Sequence, residues 1–320
     1  MISRHQPLQR IKQACVGSIA LGAWLLAATA AADSSKLPKG HFPLPEEGNM
    51  VGEVYTVTAT AEDTLLDIAR ANNVGYEEIR MANPDTSLWV PGEGTEVTIP
   101  GQFILPDEAR TGIVINVAEL RLYYYPEVAQ GEAPRVETYP IGIGSDAYNT
   151  PLGMTKTTMR LENPAWYPPA SMRREAAERG EPAPDVVPPG ADNPLGQYAI
   201  LLDIPGYLIH GTNQPDGIGM RASRGCIRMH SEDIESVFWR VPVGTQVNII
   251  DSPIKVGWDA SGSGYVQAFT AADENVYGMD TLLDVVGLIE QHENGSSQGA
   301  DYEQVREVLE RANGQIVPLS

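Results

Sequence analysis

Leu208-Ile209-His210-Gly211-Thr212, followed by Ser223-Arg224-Gly225-Cys226-Ile227-Arg228, is the stretch on which the reading of this chain turns. The chain has two cysteines, Cys15 and Cys226, and no CxxC. Cys15 falls in an N-terminal leader-like segment, so Cys226 is the thiol left for chemistry. A free thiol is only a few per cent thiolate at neutral pH, so a nucleophilic cysteine needs a base close by. His210 ends an apolar strand-like run upstream, and Gly211 beside it relaxes how the chain leaves that strand. The connecting loop contains Gly211, Gly217, Gly219 and Gly225, enough freedom to fold back and bring the imidazole to the sulfur. Gly225 permits a tight turn whose backbone N–H groups can face an acyl oxygen, the requirement of an oxyanion hole. His230 competes for the base role, although it directly precedes a helix and can simply start it. Arg221, Arg224 and Arg228 cluster around the cysteine in an acidic chain, and arginine holds carboxylates bidentately.

Composition excludes several alternatives. Lys plus Arg number 22 against 42 Asp plus Glu, a net charge of −20. That balance argues against nucleic-acid binding, which depends on basic side chains neutralising phosphates. With 42% hydrophobic and 20% charged residues the chain can bury a sizeable core. The five histidines show no HExxH spacing, so no metal site is expected, and nothing calls for a cofactor. Acidic pairs such as Glu77-Glu78 and Glu232-Asp233 read as solvated helix faces, not as a glycosidase pair.

The chain divides into five stretches. Residues 1–32 carry Arg4, Arg10 and Lys12, an apolar run near 14–28 and Ala30-Ala31-Ala32, the layout of a secretory signal peptide. Export to the periplasm is expected, with an uncleaved membrane anchor as the alternative. Residues 33–53, rich in proline and glycine, read as a linker. In 54–100 an alternating strand, Val54 to Val57, leads to a helix N-capped by Asp63, then a helix from Tyr76 to Met81. Asn83-Pro84 ends that helix and a strand at Glu96 to Pro100 closes the unit. Residues 110–251 read as mostly β, beginning with a hairpin on either side of Ala118-Glu119. Its proline-rich 162–197 segment, with one helical patch at 171–179, is long enough to be a lid. Residues 252–320 read as a polar tail with two helical patches and no assigned role.

The residues of 54–100 resemble a LysM module, through Tyr55-Thr56-Val57, Asp63-Thr64-Leu65, Ile68-Ala69, Asn83-Pro84 and Val97-Thr98-Ile99-Pro100. The His210 and Cys226 motifs, the hairpin 114–125, Thr150-Pro151-Leu152-Gly153 and Asn163-Pro164-Ala165-Trp166 resemble the L,D-transpeptidase family. Its LysM-bearing periplasmic branch includes enzymes that anchor an outer-membrane lipoprotein. The resemblance implies an α+β protein, a small strand-helix-helix-strand LysM module followed by a mostly β catalytic domain. It implies Cys226 as nucleophile, His210 as its base and acid, and Gly211 orienting the imidazole through its carbonyl. Gly225 and Cys226 would supply oxyanion donors, and Ser223, Arg224, Arg228 and Trp166 would contact substrate. The family often has histidine where Arg224 stands. The substrates implied are peptidoglycan stem peptides and glycan strands, with a lipoprotein C-terminal lysine as acceptor and carbapenems as acylating inhibitors. A second diaminopimelate or water are the other acceptors, and a non-catalytic wall-binding protein is the reading from a different class.

Overall fold

Strands β4 (Gly112–Asn116) and β5 (Arg121–Tyr125) pair antiparallel across a turn in which Leu120 takes a left-handed conformation, φ 60°. Both strands are almost wholly buried, which is why they read as near-continuous apolar runs and not as alternating ones. The structure, a computed structural model, describes residues 37–145, 147–270, 277–292 and 301–319. The signal peptide expected in 1–32 lies outside the described residues.

The hairpin belongs to a nine-stranded mixed sheet. It contains β1 (His41–Pro43), β6 (Arg135–Pro140), β8 (Gly153–Glu162), β9 (Tyr198–Leu202), β10 (Leu208–His210), β12 (Ile227–Arg228) and β13 (Gln246–Ile250). The strand order is β1-β6-β5-β4-β13-β8-β9-β10-β12. The last strand is tied back to the chain just beyond β6, because Gly142 and Arg228 exchange backbone hydrogen bonds of 2.9 and 2.8 Å. The sheet therefore curls on itself around a core that includes Ile113, Ile115, Leu122, Ile200, Ile209, Ile227 and Val247. Helix α4 (Ser231–Arg240) adds Ile234, Val237 and Phe238 to that core. A parallel pair, β7 (Ile143–Gly144) with β11 (Arg221–Ser223), leads into the cysteine loop.

Ahead of this domain, β2 (Met50–Thr58) and β3 (Glu96–Ile104) pair antiparallel over nine residues, with α1 (Leu65–Ala71) and α2 (Tyr76–Ala82) between them. Leu65, Ile68, Ala69, Ile79, Val97 and Ile99 form their core. Asp63 is not the N-cap of α1. Thr64 caps it, in a reciprocal box with Asp67 (3.0 and 3.1 Å), while Asp63 accepts from the N–H and hydroxyl of Thr60. The stretch read as a linker also contributes structure, since β1 pairs with β6 at the sheet edge. Prolines 43 and 45 hide that strand from a pattern reading, and an edge is where proline is tolerated.

The polar tail is a folded unit. Strands β14 (Ile254–Trp258), β15 (Gly264–Phe269) and β16 (Asn313–Pro318) form a sheet covered by α5 (Met279–His292) and α6 (Tyr302–Arg311). Val266, Leu282, Val286, Ile289, Val305 and Leu309 are its core. Lysine is a residue type expected on the solvent side of a strand. Lys255 is instead buried, paired with Glu119 and donating to the Ile104 carbonyl at 2.8 Å.

Candidate active site

The parallel pairing of β10 and β12 sets the site. Ile209 lies opposite Ile227, and His210 opposite Arg228. Successive strand side chains alternate, and both isoleucines are fully buried in the core. His210 and Arg228 consequently project from the other side. Cys226, directly preceding β12, shares their parity, so the register brings imidazole, thiol and guanidinium to one surface at the end of the curled sheet.

His210 is 4% exposed, and its ring Nδ1 lies 2.6 Å from the Gly211 carbonyl. A carbonyl only accepts, so Nδ1 carries the proton and Nε2 keeps its lone pair. Burial pulls the imidazole down to about 4, with the Arg228 cation adding to the effect and the Gly211 carbonyl opposing it. Burial also pushes the Cys226 thiol above its ordinary value, against smaller opposing effects of the Leu208 N–H and Arg228. The thiol proton is directed at the Gly206 carbonyl, 3.5 Å from Sγ. At neutral pH the site holds a neutral thiol and a neutral imidazole.

Gly225 has φ +101°, a left-handed conformation that favours glycine, and a side chain there would meet the Tyr207 ring at 2.8 Å. Its carbonyl accepts from the Thr150 hydroxyl at 3.0 Å, and Thr150 Oγ1 also accepts the Gly144 N–H. Its own N–H is not free for an oxyanion: it donates to Ser223 Oγ at 3.1 Å. The same hydroxyl donates to the Cys226 carbonyl at 2.6 Å. Ser223, expected to contact substrate, is buried and spends its hydroxyl inside the loop, holding the turn that carries Cys226.

The three arginines take different roles. Arg221 donates to the Val117 carbonyl at 2.9 Å. Arg224, also expected to bind substrate, is engaged by Glu175 of α3 (Ala170–Glu178) and lies over the Tyr148 ring. Arg228 has no carboxylate partner among the described residues, and its buried Nε has no hydrogen-bond partner. Burial lowers its pKa while the neighbouring thiol opposes that effect. Trp166 is half-buried and pairs by its backbone with Val187 at the base of the 162–197 segment.

His230 starts α4, and its charged neighbours are Glu232, Arg70 and Asp216. None of these belongs to the cysteine motif, whereas His210 shares a strand face with Cys226 through the β10–β12 register. Sequence reasoning passed over Thr150, Tyr148, Gly206, Tyr207 and Glu175. Tyr148 and Thr150 belong to the turn before β8, Tyr207 to a strand run and Glu175 to the helical patch at 171–179, but nothing local ties any of the five to the cysteine loop, which they meet only through long-range contacts.

A buried histidine of fixed tautomer on the same strand face as one thiol, carried by a glycine-bearing loop of a curled sheet, is the arrangement of a cysteine acyltransferase class of site. Residues 110–249 match the YkuD model, the L,D-transpeptidase catalytic domain. Over 287 residues the chain is 42% identical to the Probable L,D-transpeptidase ErfK/SrfK of Escherichia coli (strain K12), covering 87% of this chain and 90% of that protein. It is 40% identical over 284 residues to the Probable L,D-transpeptidase YcfS of the same strain, with 87% and 88% covered. With the Probable L,D-transpeptidase YbiS of that strain it shares 43% identity over 230 residues, 71% and 74% of the two chains. The chain belongs to the L,D-transpeptidase family, and it is an enzyme of peptidoglycan transpeptidation.

Proposed function

We propose that Cys226 attacks the carbonyl of the third stem residue, the L-centre of diaminopimelate in a tetrapeptide, and transfers that acyl group to a lysine amine of an outer-membrane lipoprotein. The observation that carries the assignment is the β10–β12 register, which sets Cys226 and His210 on one surface with Nε2 left as a proton acceptor. His210 takes the thiol proton as the carbon–sulfur bond forms, and returns it to the D-alanine amine as the amide bond breaks. The acceptor amine then attacks the thioester, forming the new amide and restoring the thiol. Because Ser223 occupies the Gly225 N–H, the Cys226 N–H is the oxyanion donor in this reading. Arg228, unpaired and beside the thiol, holds a stem carboxylate. The 162–197 segment, with Trp166 and Tyr167, serves as the lid that keeps water from the thioester.

In the same reading residues 1–32 export the chain to the periplasm. Residues 54–100 act as a LysM module holding glycan strands, a role that the β2-α1-α2-β3 order supports. The test is mass spectrometry of the full chain incubated with disaccharide-tetrapeptide and a peptide ending in lysine, beside Cys226→Ala. A stem joined to the lysine peptide, absent in the variant, is the expected product. Stem dimers alone would move the acceptor to a second diaminopimelate, and tripeptide alone to water. No Cys226-dependent product at all would leave only wall binding.

A further inference from the structure

The 162–197 segment is fastened at two places. At its base Trp166 and Val187 exchange backbone hydrogen bonds of 2.9 and 2.8 Å. The fully buried Asn193 amide there donates to the carbonyls of Pro164 at 2.8 Å and Pro188 at 3.1 Å, and its oxygen accepts the Leu195 N–H. The second fastening joins α3 to the cysteine loop. Glu175 accepts from both terminal nitrogens of Arg224, one at 3.1 Å, and from the Tyr148 hydroxyl at 2.9 Å. Arg224 also donates to that hydroxyl at 2.7 Å, and its guanidinium lies 4.4 Å from the Tyr148 ring centre.

An isolated ion pair at a protein surface stabilises little. This one is bidentate, only a third exposed, stacked on a ring and closed by a shared hydroxyl, the arrangement in which arginine pairs are strong. Its position gives it leverage. Arg224 stands two residues before Cys226 and next to Gly225, whose carbonyl is pinned by Thr150. Tyr148 sits on the other wall of the same loop, where its carbonyl would be 3.5 Å from a side chain at Gly225. Moving α3 therefore pulls on the backbone that carries the nucleophile. Arg224 and Tyr148 hold the Glu175 carboxyl down to about 2, so the contact stays charged through the physiological range.

We propose that Glu175, Tyr148 and Arg224 form a latch that fastens the α3 arm to the cysteine loop, making Glu175 and Tyr148 positioning residues for the thioester stage. This rests on the acyl-transfer reading above. Latched, the arm excludes water and fixes the Gly225–Cys226 backbone; released, it admits water to the thioester and loosens that backbone.

Two measurements on the full chain test it, using wild type, Glu175→Ala and the exchanged pair Glu175→Arg with Arg224→Glu. The first is the rate of Cys226 alkylation by iodoacetamide without substrate. The second is the ratio of hydrolysed tripeptide to transferred product with disaccharide-tetrapeptide and the lysine peptide. Losing a charge-assisted bidentate contact should speed alkylation about tenfold in Glu175→Ala and raise the hydrolysis ratio, with kcat falling more than donor KM changes. The exchanged pair should return both readings toward wild type. A folded Glu175→Ala with wild-type alkylation and product ratio overturns the latch, as does a folded exchanged pair that restores neither. If Glu175→Ala does not fold, Tyr148→Phe, which removes only the bridging hydroxyl, is judged by the same two criteria. Latch-dependent alkylation in a chain that makes no transfer product would refute the acyl-transfer reading and keep the latch.

Discussion

His210 donates its Nδ1 proton to the carbonyl of its own neighbour Gly211 across 2.6 Å, which fixes the tautomer before any substrate arrives. With the imidazole near 4 and the thiol raised above its ordinary 9.0, the resting pair is neutral. A thiolate–imidazolium pair would react with alkylating reagents at a rate that levels off well below neutrality. The neutral pair instead predicts a Cys226 alkylation rate that climbs about tenfold per pH unit from about pH 6 to 9, following the thiolate fraction. A plateau beginning below pH 7 would contradict the neutral pair.

The same burial makes stability depend on pH. His210 and His230 both lie near 4 in the fold, against 6.5 unfolded, and His41 is lowered as well, each chiefly by burial. A histidine with a depressed folded pKa contributes stability that is present above 6.5 and lost as pH falls toward 4. Asp233 opposes them. Burial raises it to about 7 from 3.8, so its contribution is lost as pH rises over the same range. Three histidines against one carboxyl leave the unfolded chain binding more protons between about pH 4.5 and 6.5. The melting temperature should therefore rise across that interval, and less steeply in His230→Gln. A flat or falling profile would contradict the assignment.

Gly225 is the position where backbone conformation and chemistry meet. Alanine there faces both φ +101° and the Tyr207 ring at 2.8 Å. The strain is on the order of 1–3 kcal/mol if the conformation is kept. If the loop relaxes instead, the Cys226 N–H, the oxyanion donor of the proposed mechanism, turns away, at a cost of about 10²–10³ in rate. Gly225→Ala should lose kcat/KM on that scale. Adding Tyr207→Ala removes the clash but leaves the φ requirement and takes a ring off the core, so the double variant should recover neither stability nor rate in full. Full recovery of kcat/KM would place the whole effect in the clash.

How far the sequence could be read depended on the range of each interaction. The apolar run ending at His210, the glycines and the cysteine lie within a short span, and a parallel pairing of β10 with β12 brings that span together. The hairpin around Ala118-Glu119 and the helices at 76–82 and 231–240 were legible for the same reason, as local periodicity with clear breakers. Pairings across the chain were not. Arg224 looks like a free cation until Glu175, far upstream, is found against it. Lys255 suggests a solvated strand, but its partner Glu119 is buried with it in the β4–β5 turn. Ser223 reads as a substrate contact because nothing local reveals that its hydroxyl closes the loop on Gly225 and Cys226.

Arg121 shows what such a long-range pair does for the fold. Its side chain is fully buried at the end of β5, with Nε 2.6 Å from Glu78 of α2 and Nη1 3.0 Å from the Thr138 hydroxyl. Nη2 donates to the Asn73 carbonyl at 2.5 Å, and the guanidinium lies 3.9 Å from the Phe103 ring centre. The two partners are unequal, because Glu78 retains 18% exposure and Arg121 none. The charge left behind decides the cost of breaking the pair. Glu78→Ala strands a guanidinium with no access to water and should cost about 3–5 kcal/mol. Arg121→Met leaves a carboxylate that water can reach, so it should cost less, about 1–3 kcal/mol. Replacing both, Arg121→Met with Glu78→Ala, removes the stranded charge and should cost less than Glu78→Ala alone. Urea denaturation of the three variants measures this directly. A double variant whose loss equals the sum of the singles would mean that the residues act independently and that the pair does not hold α2 against β5.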